Sequence, residues 1–233
     1  MQQSKQDIKR RRLLLARLSG IGLLAGAGVS GLIRDALAKD KNAHLSGMRK
    51  VSGQVTVNNM PARMGMQVGA GDIIITGPGS TAIYVIGKDA YLQREQSSVS
   101  FASSALGATV SSMRVITGRI LAVFGKGNKE LQTGTATIGI RGTACYIEIE
   151  ETRTYFCLCY GIAEVVPLSD PSRAERIVTK QHDRPVYIAQ GSGDQAIVPA
   201  QVINHTNVEL ELLESLVGRE LPFAKGNRYD FGY

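Results

Sequence analysis

The chain has 233 residues, 43% of them apolar and 20% charged, enough for one sizeable core and too apolar for wholesale disorder. Its net charge of +7 and pI near 9.4 would suit nucleic-acid binding if the basic residues lay on the folded part. They do not: residues 1–38 hold Lys5, Lys9, Arg10, Arg11, Arg12, Arg17 and Arg34 against Asp7 and Asp35, a net +5, so only +2 remains for residues 39–233 and nucleic acid is excluded as a partner.

Residues 1–38 have the three parts of a targeting segment. A basic start, Lys9-Arg10-Arg11-Arg12, leads into an apolar stretch from Leu13 to Ile33, and Ala36-Leu37-Ala38 supplies the small-x-small pattern that a signal peptidase cuts, leaving Lys39 at the new N-terminus. Arg10-Arg11-Arg12-Leu13-Leu14 resembles the core of a twin-arginine signal, with Lys9 where Ser or Thr is usual. Gly20, Gly22, Gly26, Gly28 and Gly31 dilute the apolar stretch and Arg34 follows it, which suits a route that carries folded proteins. The alternative is an uncleaved membrane anchor, but Leu18 to Ile33 falls short of the roughly 20 residues that cross a bilayer core unless Leu13–Leu15 extend it past a snorkelling Arg17. The expected location is therefore the periplasm, with membrane contact only through this segment if it stays uncut.

From residue 48 the pattern changes to short β-branched runs separated by turn residues. The alternation around Val51, Val55 and Val57 stops at Asn58-Asn59, and strands are expected at 73–76, 81–86, 90–93, 99–101, 114–117, 119–124, 129–132, 145–150 and 154–160. Between them stand Gly71-Asp72, Gly77-Pro78-Gly79-Ser80, Gly87-Lys88-Asp89, Gly125-Lys126-Gly127-Asn128 and Gly161, while 102–112 reads as a loop. Such spacing predicts an all-β fold, a sandwich or a solenoid, over 39–200.

The run Gly71-Asp72-Ile73-Ile74-Ile75-Thr76-Gly77, then Ser80, then Gly87-Lys88-Asp89-Ala90-Tyr91-Leu92, resembles the first half of the FecR domain, and Gly118-Arg119-Ile120 with Thr135-Ala136-Thr137-Ile138-Gly139-Ile140-Arg141-Gly142-Thr143 resembles its second half. Together they span about residues 48–166. The resemblance implies an extracytoplasmic regulatory domain with a protein partner in the cell envelope. About nine residues precede the arginines, which leaves no room for the cytoplasmic sigma-binding segment of such proteins, so the implied role is a sensing, scaffold or protein-binding module rather than a sigma regulator. The residues also have a physical reading of their own. Gly71, Gly77 and Gly79 permit positive φ in tight turns, Asp72 can bond the turn it opens, and Arg141 between Gly139 and Gly142, next to Thr143, is expected to hold turn carbonyls or pair with Asp72 or Asp89.

Cys145, Cys157 and Cys159 lie on two expected strands joined around Glu151-Thr152-Arg153. A three-residue loop would set Cys145 opposite Cys159 with Cys157 on the same face; a two-residue loop would send Cys157 and Cys159 to the other face. Three readings follow: a Cys145–Cys159 disulfide, a zinc or copper site built from Cys157, Cys159, His182 and Asp183, or small buried hydrophobes on a central strand. His205 directly precedes a helix start and is expected to be solvated, and His44 lies just past the cleavage site in a polar segment expected to be mobile.

Thr206-Asn207-Val208-Glu209 has the form of a capping box, and Leu210, Leu212, Leu213, Leu216 and Val217 follow before Gly218, predicting one helix over about 207–217 within the C-terminal part, 201–233, whose tail from Lys225 is expected to fray. No Gly-x-Ser-x-Gly elbow, phosphate-binding loop, dinucleotide fingerprint or His-Glu-x-x-His is present. The chain therefore reads as a non-catalytic binding or regulatory module, with a metal or redox protein centred on Cys157, Cys159 and His182 as the alternative.

Changing Arg10 and Arg11 together to Lys is expected to hold the precursor in the cytoplasm. Cell fractionation checks this, and an unchanged periplasmic yield would rule out the twin-arginine route. Edman sequencing of the exported wild type should begin at or next to Lys39.

Overall fold

The computed structural model describes residues 46–103 and 110–223. The export signal with Arg10, Arg11, Ala36 and Ala38, together with His44 and the tail from Lys225, lies outside those described residues. Just over half of the described chain is strand: β1 Gly47–Ser52, β2 Val55–Val57, β3 Met60–Pro61, β4 Ile73–Thr76, β5 Thr81–Ile86, β6 Asp89–Gln93, β7 Ser97–Ser103, β8 Val110–Val123, β9 Asn128–Gln132, β10 Ala136–Ile149, β11 Arg153–Pro167, β12 Glu175–Thr179, β13 Val186–Ala189 and β14 Ile197–Pro199. A single α-helix, α1 Asn207–Leu216, follows.

Three long strands organise everything else, and each serves two sets of neighbours. The first half of β8 pairs with β7, its second half with β6 and β10; β10 pairs with β9 over 137–141 and with β8 over 144–149; β11 pairs with β13 over 153–156 and with β12 over 161–165. Where each strand changes neighbours stands a glycine with positive φ: Gly118 at 78°, Gly142 at 57° and Gly161 at 105°. Such backbone is strained for any residue carrying a Cβ, so these positions bend the strands and divide the pairing into two layers. One layer runs β1, β5, β6, β8, β10, β11, β13 and β14; the other runs β3, β2, β4, β7, β8, β9, β10, β11 and β12. All pairs are antiparallel except β8 with β9.

The apolar core lies between the layers. Tyr84, Tyr91, Ala122, Cys145, Ile147, Phe156 and Leu158 from the first layer meet Val57, Ile74, Val99, Phe101, Met113, Leu131, Ile138 and Val165 from the second. Strict alternation sends the intervening residues of the first layer, Leu92, Leu121, Tyr146, Tyr155, Cys157 and Cys159, to its other face. They are buried as well, because the polypeptide covers that face: α1 packs on β6 and β8, with Leu210, Leu212, Leu213 and Leu216 buried. Each such side chain contributes about 1.5–3 kcal/mol relative to exposure.

The expected all-β class with one C-terminal helix is what the structure has. The Thr206 hydroxyl accepts from the Glu209 N–H and the Glu209 carboxylate accepts from the Thr206 N–H, so the capping box forms as read, and Val217 is the C-cap. Four expectations need correction. The runs 114–117 and 119–124 are one strand, since Gly118 bends it without ending the ladder. Residues 102, 103 and 110–112, read as loop, belong to β7 and β8. Strands β12, β13 and β14, beyond residue 166, carry too short an alternation to be seen. Arg141 is exposed and joins neither Asp72 nor Asp89. Asp72 instead accepts from the Asn58 amide at 2.7 Å and the Gly69 N–H at 2.8 Å, closing its own turn. Asp89, nearly fully buried, is neutralised by Lys129 Nζ at 2.8 Å and by the Gly125 N–H at 2.9 Å.

A Cβ built on Gly118 would lie 2.5 Å from Ser97 Cα and 2.6 Å from the Gln96 carbonyl oxygen, whereas one on Gly139 meets nothing within 4 Å. Gly118→Ala is therefore expected to cost about 2–4 kcal/mol, and Gly139→Ala to stay within about 0.5 kcal/mol of wild type. Urea unfolding of both variants checks the pair, and equal effects would contradict the bent-strand role of Gly118.

Candidate metal centre

The register of the β10–β11 hairpin decides which cysteines meet. The Glu150 N–H bonds the Arg153 carbonyl at 2.9 Å and the Arg153 Nε bonds the Glu150 carboxylate at 2.6 Å, which leaves Glu151-Thr152 as a two-residue turn. Cys145 then faces Leu158, and Tyr146 faces Cys157. This is the shorter of the two loops weighed from the sequence, and it separates the cysteines: Cys145 points into the core between the layers, while Cys157 and Cys159 point together to the helix-covered face. All three are free thiols. The Cys145–Cys159 disulfide is thereby corrected, because the two side chains emerge on opposite faces of the sheet.

Two histidines complete a cluster with the outward pair. His182 lies in the turn between β12 and β13 at φ 50°, and its own N–H donates to the Cys159 carbonyl at 3.0 Å, fastening the turn to β11 beside the thiols. Asp183 is not a member, contrary to the sequence expectation. Its Oδ2 accepts the N–H groups of Lys180 at 2.8 Å and Gln181 at 3.3 Å, so it shapes the turn that presents His182. His205 comes from the segment before α1. Far from being solvated, it is buried and stacks on Tyr146 with ring centroids 4.7 Å apart and planes inclined by 15°.

The four donor atoms of Cys157, Cys159, His182 and His205 all lie within 4.8 Å of one another, the only such group of three or more among the described residues. His182 Nδ1 is 3.0 Å from His205 Nε2 and 3.5 Å from Cys157 Sγ. A tetrahedral zinc ion with its usual bond lengths would need ligand-to-ligand edges of about 3.3–3.8 Å, so the His182–His205 edge at 3.0 Å has to open by a few tenths of an ångström and the widest edges, bounded at 4.8 Å, have to close by up to about 1 Å.

The outer hydrogen bonds select the tautomers such a site needs. His205 Nδ1 lies 2.6 Å from the Ile203 carbonyl, which can only accept, so the proton sits there and Nε2 carries the lone pair. His182 Nε2 lies 3.0 Å from Asn207 Oδ1, which leaves Nδ1 free in the same way. Two lone pairs thus face each other in a buried space beside two thiols, an arrangement that requires a shared proton or a cation to be tolerated. The charge distribution agrees. The Cys157 thiol is held well below its usual range by the hydrogen bond from Cys159, which together with His182 and His205 outweighs burial. Burial pushes Cys159 up. Burial opposes protonation of His182, yet the neighbouring Cys157 raises it overall.

Further hydrogen bonds position the cluster in the docked arrangement. The Tyr146 hydroxyl donates to Glu148 at 2.8 Å, and Glu148 accepts from the Asn204 amide at 2.9 Å. Arg94 Nη2 reaches the Asn204 carbonyl at 2.6 Å and Glu209 at 2.9 Å. His205 escaped the sequence reading because its partners are distant in the chain. The available signal was its place one residue before a complete capping box, which fixes backbone direction where most surface histidines are free.

No family model matches the chain, and no curated protein does. Two crystal structures of a protein described as a putative anti-sigma factor from Parabacteroides distasonis ATCC 8503, at 1.65 and 2.50 Å resolution, are similar to it at 11% identity and a TM-score of 0.44. The match covers 55% of this chain and 58% of that one, less than two thirds of its length.

Denatured protein prepared without reductant is expected to titrate three thiols per chain with an aromatic disulfide reagent. A count of one with peptide mapping that joins Cys145 to Cys159 would restore that disulfide and overturn the two-residue-turn register of β10 and β11.

Proposed function

We propose that the chain is an exported, non-catalytic metal-binding module in which Cys157, Cys159, His182 and His205 hold one zinc ion. The observation that carries this reading is the convergence of four ligating atoms, from three separate segments, in a buried space with both imidazole tautomers set for coordination. Four protein ligands fill a tetrahedral shell and leave no position for water or substrate, the pattern of structural and sensory sites rather than catalytic ones. Charge favours a divalent ion over copper(I). Two thiolates and two neutral imidazoles balance +2, whereas a monovalent ion would leave a net negative charge in a buried site, which is costly. The segment of twin-arginine type supports export and accounts for a site loaded before translocation. The FecR-like motifs support a sensing or protein-binding role outside the cytoplasmic membrane, with a protein of the envelope as partner.

Metal analysis of protein purified from the periplasm is expected to give one zinc per chain. Cys157→Ser and His205→Ala should each remove most of it, and Asn207→Ala should weaken zinc binding about 10–100-fold by freeing the His182 ring. Cys145→Ala and Asp183→Asn should leave the stoichiometry at one. Bound zinc at 100 times its Kd should raise stability by about 2.7 kcal/mol. Wild-type protein without stoichiometric metal would refute the reading, and stoichiometric copper would refute its choice of ion.

A further inference from the structure

The ligands of this centre are not equivalent in how they are attached. Cys157 and Cys159 are side chains of a central strand, and His182 is tied to that strand through its own N–H. His205 alone belongs to the segment after β14, and that segment leads directly into α1. Asn207, the first helical residue, accepts from His182 as well. A metal ion bound to all four would therefore join β11 to the C-terminal segment.

The remaining attachments of that segment are of a kind that opens locally. Its polar contacts are the ion pairs of Arg94 with Glu209 and Arg219 with Glu214 and the Tyr160 bond to Glu214, whose pairing is offset by the cost of burial, together with Asn204 to Glu148 and Arg94 and the Tyr155 hydroxyl to Gln201 and Ile203. Its apolar contacts are one helical face, Leu210, Leu212, Leu213 and Leu216, without any share in the core between the two layers. A helix that contributes nothing to the main core can detach while the sheet layers stay folded. An ion that binds only the docked arrangement then shifts that one equilibrium by its differential affinity.

We propose that metal occupancy at Cys157, Cys159, His182 and His205 latches the segment 201–217 onto the sheet, so that the metal state is read out as docking of α1. This rests on the metal reading above and adds a regulated element to it. Detachment would uncover Tyr146, Tyr155 and Tyr160, the aromatic face that the docked segment and its neighbours keep from solvent.

The test is amide hydrogen exchange on the full exported chain, stripped of metal by chelation and then titrated with zinc chloride, with zinc stoichiometry measured on the same samples. In the metal-free protein the amides of 206–217 are expected to exchange faster than those of β2, β4 and β7, in the layer remote from the helix, because the segment opens while the layers stay folded, and zinc should slow 206–217 in proportion to its free concentration over Kd, about 100-fold at 100 times Kd. In His205→Asn the zinc dependence of 206–217 should vanish while β2, β4 and β7 exchange as in metal-free wild type. Metal-free exchange of 206–217 as slow as that of β2, β4 and β7, or no slowing in 206–217 at full zinc occupancy, would overturn the latch and leave the metal site standing. Failure of wild type to bind zinc would overturn both. Should His205→Asn not fold, the wild-type titration decides by itself.

Discussion

The two-residue turn at Glu151-Thr152 is the constraint on which the rest of this structure depends. It sets the pairing of β10 with β11, and because side chains alternate along a strand, one residue of slip would exchange every inward and outward group of one strand relative to the other. With the observed register Cys145, Ile147, Phe156 and Leu158 enter the core between the layers, and Tyr146, Tyr155, Cys157 and Cys159 face the helix. The opposite register would send two cysteines into the main core and expose Phe156 and Leu158 to the polar cluster. The ion pair of Arg153 with Glu150 and the stacking of the Arg153 guanidinium 3.7 Å above the Tyr187 ring hold the turn at its end.

A second consequence follows from bending at Gly118, Gly142 and Gly161. Strands that change neighbours halfway along make one continuous ladder serve two layers, which brings the inner faces together around a single apolar core. The outer face of the first layer is left apolar as well, and α1 covers it. Between helix and sheet there is thus a second buried space, smaller than the first and richer in polar groups. The histidine and cysteine cluster lies at the edge of that space, where the β12–β13 turn and the segment before α1 converge. The cost of burying so many donors and acceptors is offset by hydrogen bonds at most of them, Arg94 Nε and Arg219 Nη2 being left without one.

The fold and the site are linked through the capping box. Thr206 and Glu209 satisfy the first free N–H groups of α1, and Glu209 also takes the Arg94 guanidinium, which in turn holds the Asn204 carbonyl. A device that starts a helix thereby fixes the backbone at His205, and the Tyr146 ring fixes its imidazole. The same residues that terminate the loop position this candidate ligand.

Much of this was legible in the chain itself. Turn glycines, β-branched alternation and the Thr206–Glu209 box are local signals, each acting within a few residues, and from them the all-β class, most strands before residue 166 and the bounds of α1 could be read. Cys157, Cys159 and His182 were recognisable as ligand types at a suitable spacing. What the sequence left open was every choice that depends on distant parts of the chain: a two- or three-residue turn, the use of Asp183 to shape a loop rather than bind, and the recruitment of His205 from beyond β14. Local propensity acts over one turn of helix or one reversal of strand. Which side chains meet across the sheet is decided by the packing of whole layers, and that packing exists only in the tertiary structure.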